Sequence, residues 1–324
     1  MNFKRLFLRN KNNKFLYYLR AICRGLVPEG IVRKRLKLKV HRDWGDESAY
    51  LESRINYYNK LDGLVALSDA AIAIRNYTIP EKIRVYYFDS KEYLRFFDPN
   101  LKFELLPGDV IHIPKFPALV KSRPIIGENR NSVLLNLDKS RHFNFIQDDI
   151  PFAKKRNILV GRSGFSQVHR QKFFEMYATH PLCNLAKATK SSQKDFLSIT
   201  NHLAFKFILA LEGNDVASNL KWIMSSNSIA VMPEPTYETW FMEGRLIPDY
   251  HYLSILPDYS DLEEKLTYYI AHPEAAEAIA RQANAYVEQF KNSKREDAIS
   301  LLVLDKYFQS TNVERYSFPL LKHA

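Results

Sequence analysis

Residues 207–224 set out groups suited to holding an anion. An apolar run, Phe207 to Leu211, leads into Glu212-Gly213-Asn214-Asp215, and Leu220, Trp222, Ile223 and Met224 follow at helix-like spacing. This order predicts a strand, a tight turn and a helix, with the N–H groups and positive dipole end of 214–219 facing an anion such as phosphate. Ser218 and Asn219 would add side-chain donors there, and Lys221 a positive charge. Gly161-Arg162-Ser163-Gly164 reads as a second turn, closing the strand Asn157–Val160, and Arg170 follows on the next helix. An arginine also reads as a solvated surface charge. The place just after a strand end lifts Arg162 above that reading, while Arg170 fits both.

Proton transfer needs a base within reach of the reacting group. Asp109, in Pro107-Gly108-Asp109-Val110, is a candidate, and turn chemistry after a glycine accounts for it as well. Glu212 suits a ligand hydroxyl and is equally an ordinary strand-end acid. His251, in Asp249-Tyr250-His251-Tyr252, sits among aromatics, where a histidine is more often structural. Lys121 and Arg123, within Lys121-Ser122-Arg123-Pro124, offer charge to an anionic ligand. No metal is expected: Asp-x-Asp does not occur, Asp43 and Asp46 have the wrong spacing, and no Cys/His cluster of zinc type is present. A P-loop, Gly-x-Gly-x-x-Gly and Gly-x-Ser-x-Gly are also missing from the sequence.

The elements that would position these residues alternate in the second half. Strands are predicted at 157–160, 183–188, 205–211, 229–232 and 252–256. Helices are predicted at 166–177, with Ser166 as N-cap, and at 216–224, 261–271, 273–289 and 294–308. Alternating β and α argues for a parallel, doubly wound domain whose site lies at the carboxyl ends of the strands. The first half is less regular. It offers a charged helix at 47–61, a β-rich run at 83–88, extended pieces at 110–114 and 118–121, and a buried strand at 132–137.

Four ordered pieces in residues 212–262 carry a family resemblance. They are the strand ending in Glu212-Gly213, the helix with Asn219-Leu220-Lys221-Trp222, the segment Leu246 to Tyr252 with His251, and Ser260-Asp261-Leu262. This pattern resembles the lipopolysaccharide-modifying, KDEL-type glycosyltransferases of glycosyl transferase family 90. The resemblance covers residues 157–290, continues in order over 100–150, and does not define 1–60. It implies an α/β protein of GT-B fold, two Rossmann-like domains with the active site in the cleft between them. It implies inverting transfer from a UDP-sugar to a lipopolysaccharide or related glycolipid, without metal or other cofactor. Asp109 matches the order of the family's catalytic Asp. Gly161-Arg162-Ser163 resembles its Arg-Gly turn, and Arg170 a further recurrent Arg. Gly213, Asn214, Asp215, Ser218, Asn219 and Lys221 would complete the donor site. Lys121, Arg123, Glu212 and His251 would face the acceptor or wall the site. Animal members typically carry Arg where this chain has Asn219, so the cationic partner of the diphosphate shifts to Arg162.

At 324 residues, two domains are expected. The boundaries read as a basic helical extension over 1–60, an acceptor-side domain over 61–152, a nucleotide-sugar domain over 153–310 and a tail over 311–324. Thirteen of the 47 basic residues and one acid, Glu29, lie in residues 1–42, so this segment carries +12 and the remainder −1. Aromatic and aliphatic residues are interleaved with these charges, which suits the surface of an anionic membrane. Packing on the protein body is the alternative, and no nucleic-acid fingerprint accompanies the charge. The start of the sequence does not read as a secretory signal, and two cysteines make no disulfide framework. The expected setting is cytoplasmic and peripheral on the inner membrane. Two rival readings are a protein O-glycosyltransferase and a non-catalytic basic scaffold on a degenerate transferase fold.

Overall fold

The computed structural model describes residues 13–34, 44–164, 167–187, 196–312 and 316. Its strands run β1 (Ile72–Ala73), β2 (Lys102–Phe103), β3 (Leu105–Leu106), β4 (Ala118–Val120), β5 (Ser122–Pro124), β6 (Ser132–Leu134), β7 (Arg156–Ser163), β8 (Cys183–Lys187), β9 (Phe205–Leu209), β10 (Ile229–Met232), β11 (Tyr237–Thr239) and β12 (Leu253–Ser254). They fall into two compact units. One takes the described residues of Arg141–Pro235 and Glu243–Gln289, the other those of Lys14–Ser140, Thr236–Met242 and Phe290–Ala324.

The first unit is built on a five-stranded parallel sheet of order β8-β7-β9-β10-β12. Every residue of β9 and β10 is buried, as expected of central parallel strands covered on both faces. Helices Val168–Tyr177, Leu262–Ala271 and Pro273–Glu288 supply the cover, with Phe173, Leu266 and Ile279 in one apolar cluster with Leu159, Phe207 and Val231. Pro273 sits at the first turn of its helix, where a missing N–H costs nothing. Gly161 is required by packing: a Cβ there would lie 2.8 Å from Leu185 and 3.0 Å from Leu209, on the two neighbouring strands.

The second unit holds a parallel sheet β3-β4-β6 and two antiparallel pairs, β1–β2 and β5–β11. Helix Ser293–Thr311 runs through it beside helices Ser48–Tyr58 and Arg84–Leu94, with Ile299, Leu302, Leu304 and Phe308 buried. Three separate stretches of chain meet at a buried charge. Arg54 donates to Glu296 through two nitrogens, at 3.1 and 2.9 Å, and Trp240 Nε1 donates to the same carboxylate at 2.6 Å. Tyr58 stacks on Trp240 with ring centroids 3.8 Å apart.

The mixed α/β expectation with parallel sheets is met. Several boundaries differ. Residues 83–88 are not a strand but the start of helix Arg84–Leu94, whose buried residues Tyr86, Asp89, Ser90, Tyr93 and Leu94 recur at helical spacing. The expected turn at 161–164 is the continuation of β7 through Ser163. The expected helix 216–224 contracts to Leu220–Met224, preceded by turns. The piece at 110–114 forms no strand. Ser166 lies outside the described residues.

Removing one partner of a buried ion pair strands the other charge, at a cost of roughly 3–5 kcal/mol. Arg54→Met is therefore expected to lower the stability of the second unit by that order in urea unfolding. A loss below about 1 kcal/mol would show that the Arg54–Glu296 pair does not hold these segments together.

Candidate functional site

In the parallel sheet, chain order reverses between β7 and β9: β8 lies on one side of β7 and β9 on the other. The crevice outside the carboxyl ends of strands at such a reversal is where open α/β sheets bind ligands. The residues reaching that end are 161–164, the last residues of β7 and the one after it, and 210–219 after β9. Both stretches contain residues singled out from the sequence.

A clasp joins them. Arg170 Nε donates to the Glu212 carbonyl and its Nη2 to the Leu211 carbonyl, each at 2.8 Å. His169 Nε2 donates to the same Glu212 carbonyl at 2.9 Å, and Gln167 Nε2 to Asn214 Oδ1 at 2.9 Å. The first turn of helix Val168–Tyr177 thus holds the turn after β9. Gly213 lies against the Arg170 guanidinium, and its N–H donates to the Asp215 carbonyl at 3.0 Å. Burial, and then the nearby Arg141, push the Arg170 pKa down. An arginine starting above 12 remains a cation all the same. Asn219 Nδ2 donates to the Leu209 carbonyl at 2.8 Å, closing the other side of the turn.

The anion-ready helix start is displaced from its expected place. Leu220–Met224 is five residues long and begins beyond Asn214, Asp215 and Ser218. Asp215 is buried, Asn214 exposed and Ser218 half-buried. Lys221 is fully buried and paired with Glu243, so its charge serves the core. The helix with a substantial dipole at this sheet end is Val168–Tyr177, ten residues long, whose N-cap Gln167 spends no side-chain bond on the cap. Arg162 lies within β7, and its guanidinium donates to Asn184 on β8, to the carbonyl at 2.7 Å and to Oδ1 at 2.8 Å. It is drawn to the β8 side of the sheet, while Arg170 is drawn to the β9 side. Ser163 Oγ donates to the Gly164 carbonyl at 3.1 Å. His251 accepts from the Ile247 N–H at 2.9 Å and packs its ring on Tyr250 and Tyr286. Burial lowers its pKa, which favours the neutral imidazole.

The second unit contains the other candidate group. Asp109 follows Gly108, whose φ of +98° suits glycine alone. Lys121 Nζ donates to Asp109 Oδ1 at 2.5 Å; the lysine side chain is 1% exposed and the aspartate side chain 27%. A partly exposed carboxylate that accepts from a buried lysine is fixed in orientation by it. Lys121 therefore serves Asp109. Arg123 is likewise core: it is wholly buried, donates to Glu238 at 2.8 Å and to the carbonyls of Tyr57, Tyr58 and Ser132. Sequence reasoning missed Gln167 and His169; the signal was their place in the first turn of a helix that faces the next strand's end.

A parallel sheet with Arg170 and a turn of backbone N–H groups at its reversal point belongs to the class of open α/β proteins that take ligands at the carboxyl ends of their strands. Two comparisons make this more definite. The profile of glycosyl transferase family 90 matches residues 153–314, half the chain. The O-glucosyltransferase LpsA of Dichelobacter nodosus is 40% identical over 304 residues, covering 91% of this chain and 95% of that protein. The chain belongs to glycosyl transferase family 90 and is a glycosyltransferase.

Charge-assisted hydrogen bonds are worth about 1.5–3 kcal/mol, so Arg170→Lys, which keeps the charge and loses the fork, should raise amide exchange at 213–215 by about one to two orders of magnitude. Unchanged exchange in this segment would show that the fork does not hold the turn.

Proposed function

We propose that this chain transfers glucose from a UDP-sugar to a hydroxyl of lipopolysaccharide or a related glycolipid, with inversion and without a metal. The observation that carries the reading is the near full-length likeness to a protein named an O-glucosyltransferase. The acceptor class and the UDP donor come from the family resemblance in residues 212–262. The absence of Asp-x-Asp from the sequence supports a metal-free donor site. The GT-B arrangement belongs to the same proposal.

In this reading the acceptor oxygen attacks the anomeric carbon from the face opposite the leaving group. Its proton passes to the Asp109 carboxylate, which Lys121 orients. The bond from the anomeric carbon to the phosphate oxygen breaks, and UDP departs with the electron pair. The charge it gains is met by the N–H groups at 167–170 and by Arg170, with Arg162 joining if it turns from Asn184. Glu212, Gly213 and Asn214 shape the pocket edge, and Ser163 and Ser218 offer hydroxyls. The setting is the cytoplasmic face of the inner membrane, reached through the basic residues of 1–42.

Loss of a general base costs about 10²–10⁴-fold in rate. Asp109→Asn is expected to lose transfer by that factor while UDP affinity stays within about threefold. Activity within a few-fold of wild type would remove Asp109 from the mechanism. In the same assay EDTA should leave UDP binding and turnover unchanged; their loss on chelation would contradict the metal-free reading.

A further inference from the structure

Helix Lys14–Gly25 (KFLYYLRAICRG) has two unlike faces. One is fastened to helix Arg84–Leu94. Tyr17 Oη donates to the buried Asp89 at 2.6 Å, Tyr18 meets Phe88 edge-on at 5.7 Å, and Arg24 pairs with Glu92. Arg95 then donates to the carbonyls of Arg24 and Val27, fixing the helix end. The opposite face is apolar and points outward. Phe15, Leu19 and Ile22 recur at spacings of four and three, which puts them on one side of a helix at 3.6 residues per turn, and Leu26 extends the row in the turn just beyond the helix, its N–H donating to the Ile22 carbonyl. They are 63%, 45%, 53% and 78% exposed. Because the other face is pinned by a buried carboxylate, the Arg24–Glu92 ion pair and the Arg95 bonds to two carbonyls, the helix cannot roll this stripe inward without breaking them.

The surroundings say what meets the stripe. Lys14 and Arg20 lie on the same helix to either side of it, and residues 1–42 carry +12. An outward apolar stripe flanked by cations is complementary to an anionic bilayer, with headgroups meeting the charges and acyl chains the stripe. Beside Ile22 the helix also walls an open cavity of about 930 Å³ whose lining combines Tyr18, Ala21, Ile79 and Phe88 with charged residues of both signs, among them Arg84 and Glu92. Its size is that of a small-ligand pocket and gives room for an acyl chain on the protein side.

We infer that helix Lys14–Gly25 is an interfacial helix that lies in the surface of an anionic phospholipid bilayer, with Phe15, Leu19, Ile22 and Leu26 among the acyl chains. The inference rests on the peripheral-membrane reading above and deepens it. Charge alone would hold the protein outside the headgroups and release it in salt; an inserted stripe keeps part of the binding when salt screens the charges.

The test uses the full chain and vesicles of phosphatidylcholine, alone or mixed with phosphatidylglycerol, at low and high salt. Wild type should favour the anionic vesicles and keep measurable binding in high salt. Leu19→Ser/Ile22→Ser/Leu26→Ser alters only exposed side chains. It should partition at least about tenfold less at both salt levels, with an unchanged melting temperature and unchanged transfer to a delipidated, water-soluble acceptor. Cys23 is exposed beside the stripe, whereas burial pushes the Cys183 thiol up to about 12. An environment-sensitive dye on Cys23 should therefore shift to the blue on anionic vesicles. Wild-type-like partitioning of the triple variant, or full release of wild type by salt, would overturn insertion and leave a purely electrostatic contact. Absence of wild-type binding to any vesicle would sink the peripheral reading along with it. A dimer that the same substitutions dissociate would assign the stripe to a second copy and overturn the inference.

Discussion

The second unit depends on a buried charge. Its three stretches of chain are far apart in sequence, and Arg54 and Glu296 are separated by 242 positions. Hydrophobic burial alone is non-directional and does not fix which segments meet. The two-nitrogen contact of Arg54 with Glu296, the third bond from Trp240 and the stacked Tyr58 set one geometry at this point. Arg123 repeats the device, joining β5 to Glu238 on β11 and to the last carbonyls of helix Ser48–Tyr58. Lys121 is the neighbouring residue but one on the same stretch, and it turns its buried charge to Asp109. The scaffold thus presents a carboxylate at the surface through a cation that solvent does not reach.

The first unit solves a different problem. At and just beyond the end of β9, where chain order reverses, backbone carbonyls need donors that the sheet does not supply. Arg170, His169 and Asn219 supply them. The same turn is then rigid, rich in N–H groups and next to the start of a ten-residue helix. Such a turn can meet a diphosphate without reorganising, which is what makes electrostatic stabilisation effective in transfer chemistry.

Much of the parallel sheet was legible. The apolar runs at 205–209 and 229–232 are long enough and buried enough to read as central strands. The Glu212-Gly213 turn was legible because family pattern and strand–turn order coincide there. The 83–88 run misled because Ile83, Val85, Tyr86, Tyr87 and Phe88 have strand-like side chains, and only the continuation to Tyr93 and Leu94 shows the helical period. The fate of the charges was not legible. Lys221, Arg123 and Lys121 look in sequence like ligands, yet each has a buried role decided by a partner 12 to 115 positions away. Arg162 was legible as a residue at a strand end, but its bond to Asn184 depends on the strand neighbour, which local sequence does not reveal.

The central claim is that the donor's diphosphate sits at the carboxyl ends of β7 and β9. Hydrogen exchange measured on the full chain with and without UDP, in the presence of EDTA, tests it most directly. The account predicts slower exchange at 161–164, 167–171 and 211–219, with the strands at the far end of the sheet unchanged. Protection confined to other segments, or no protection at saturating UDP, would contradict it.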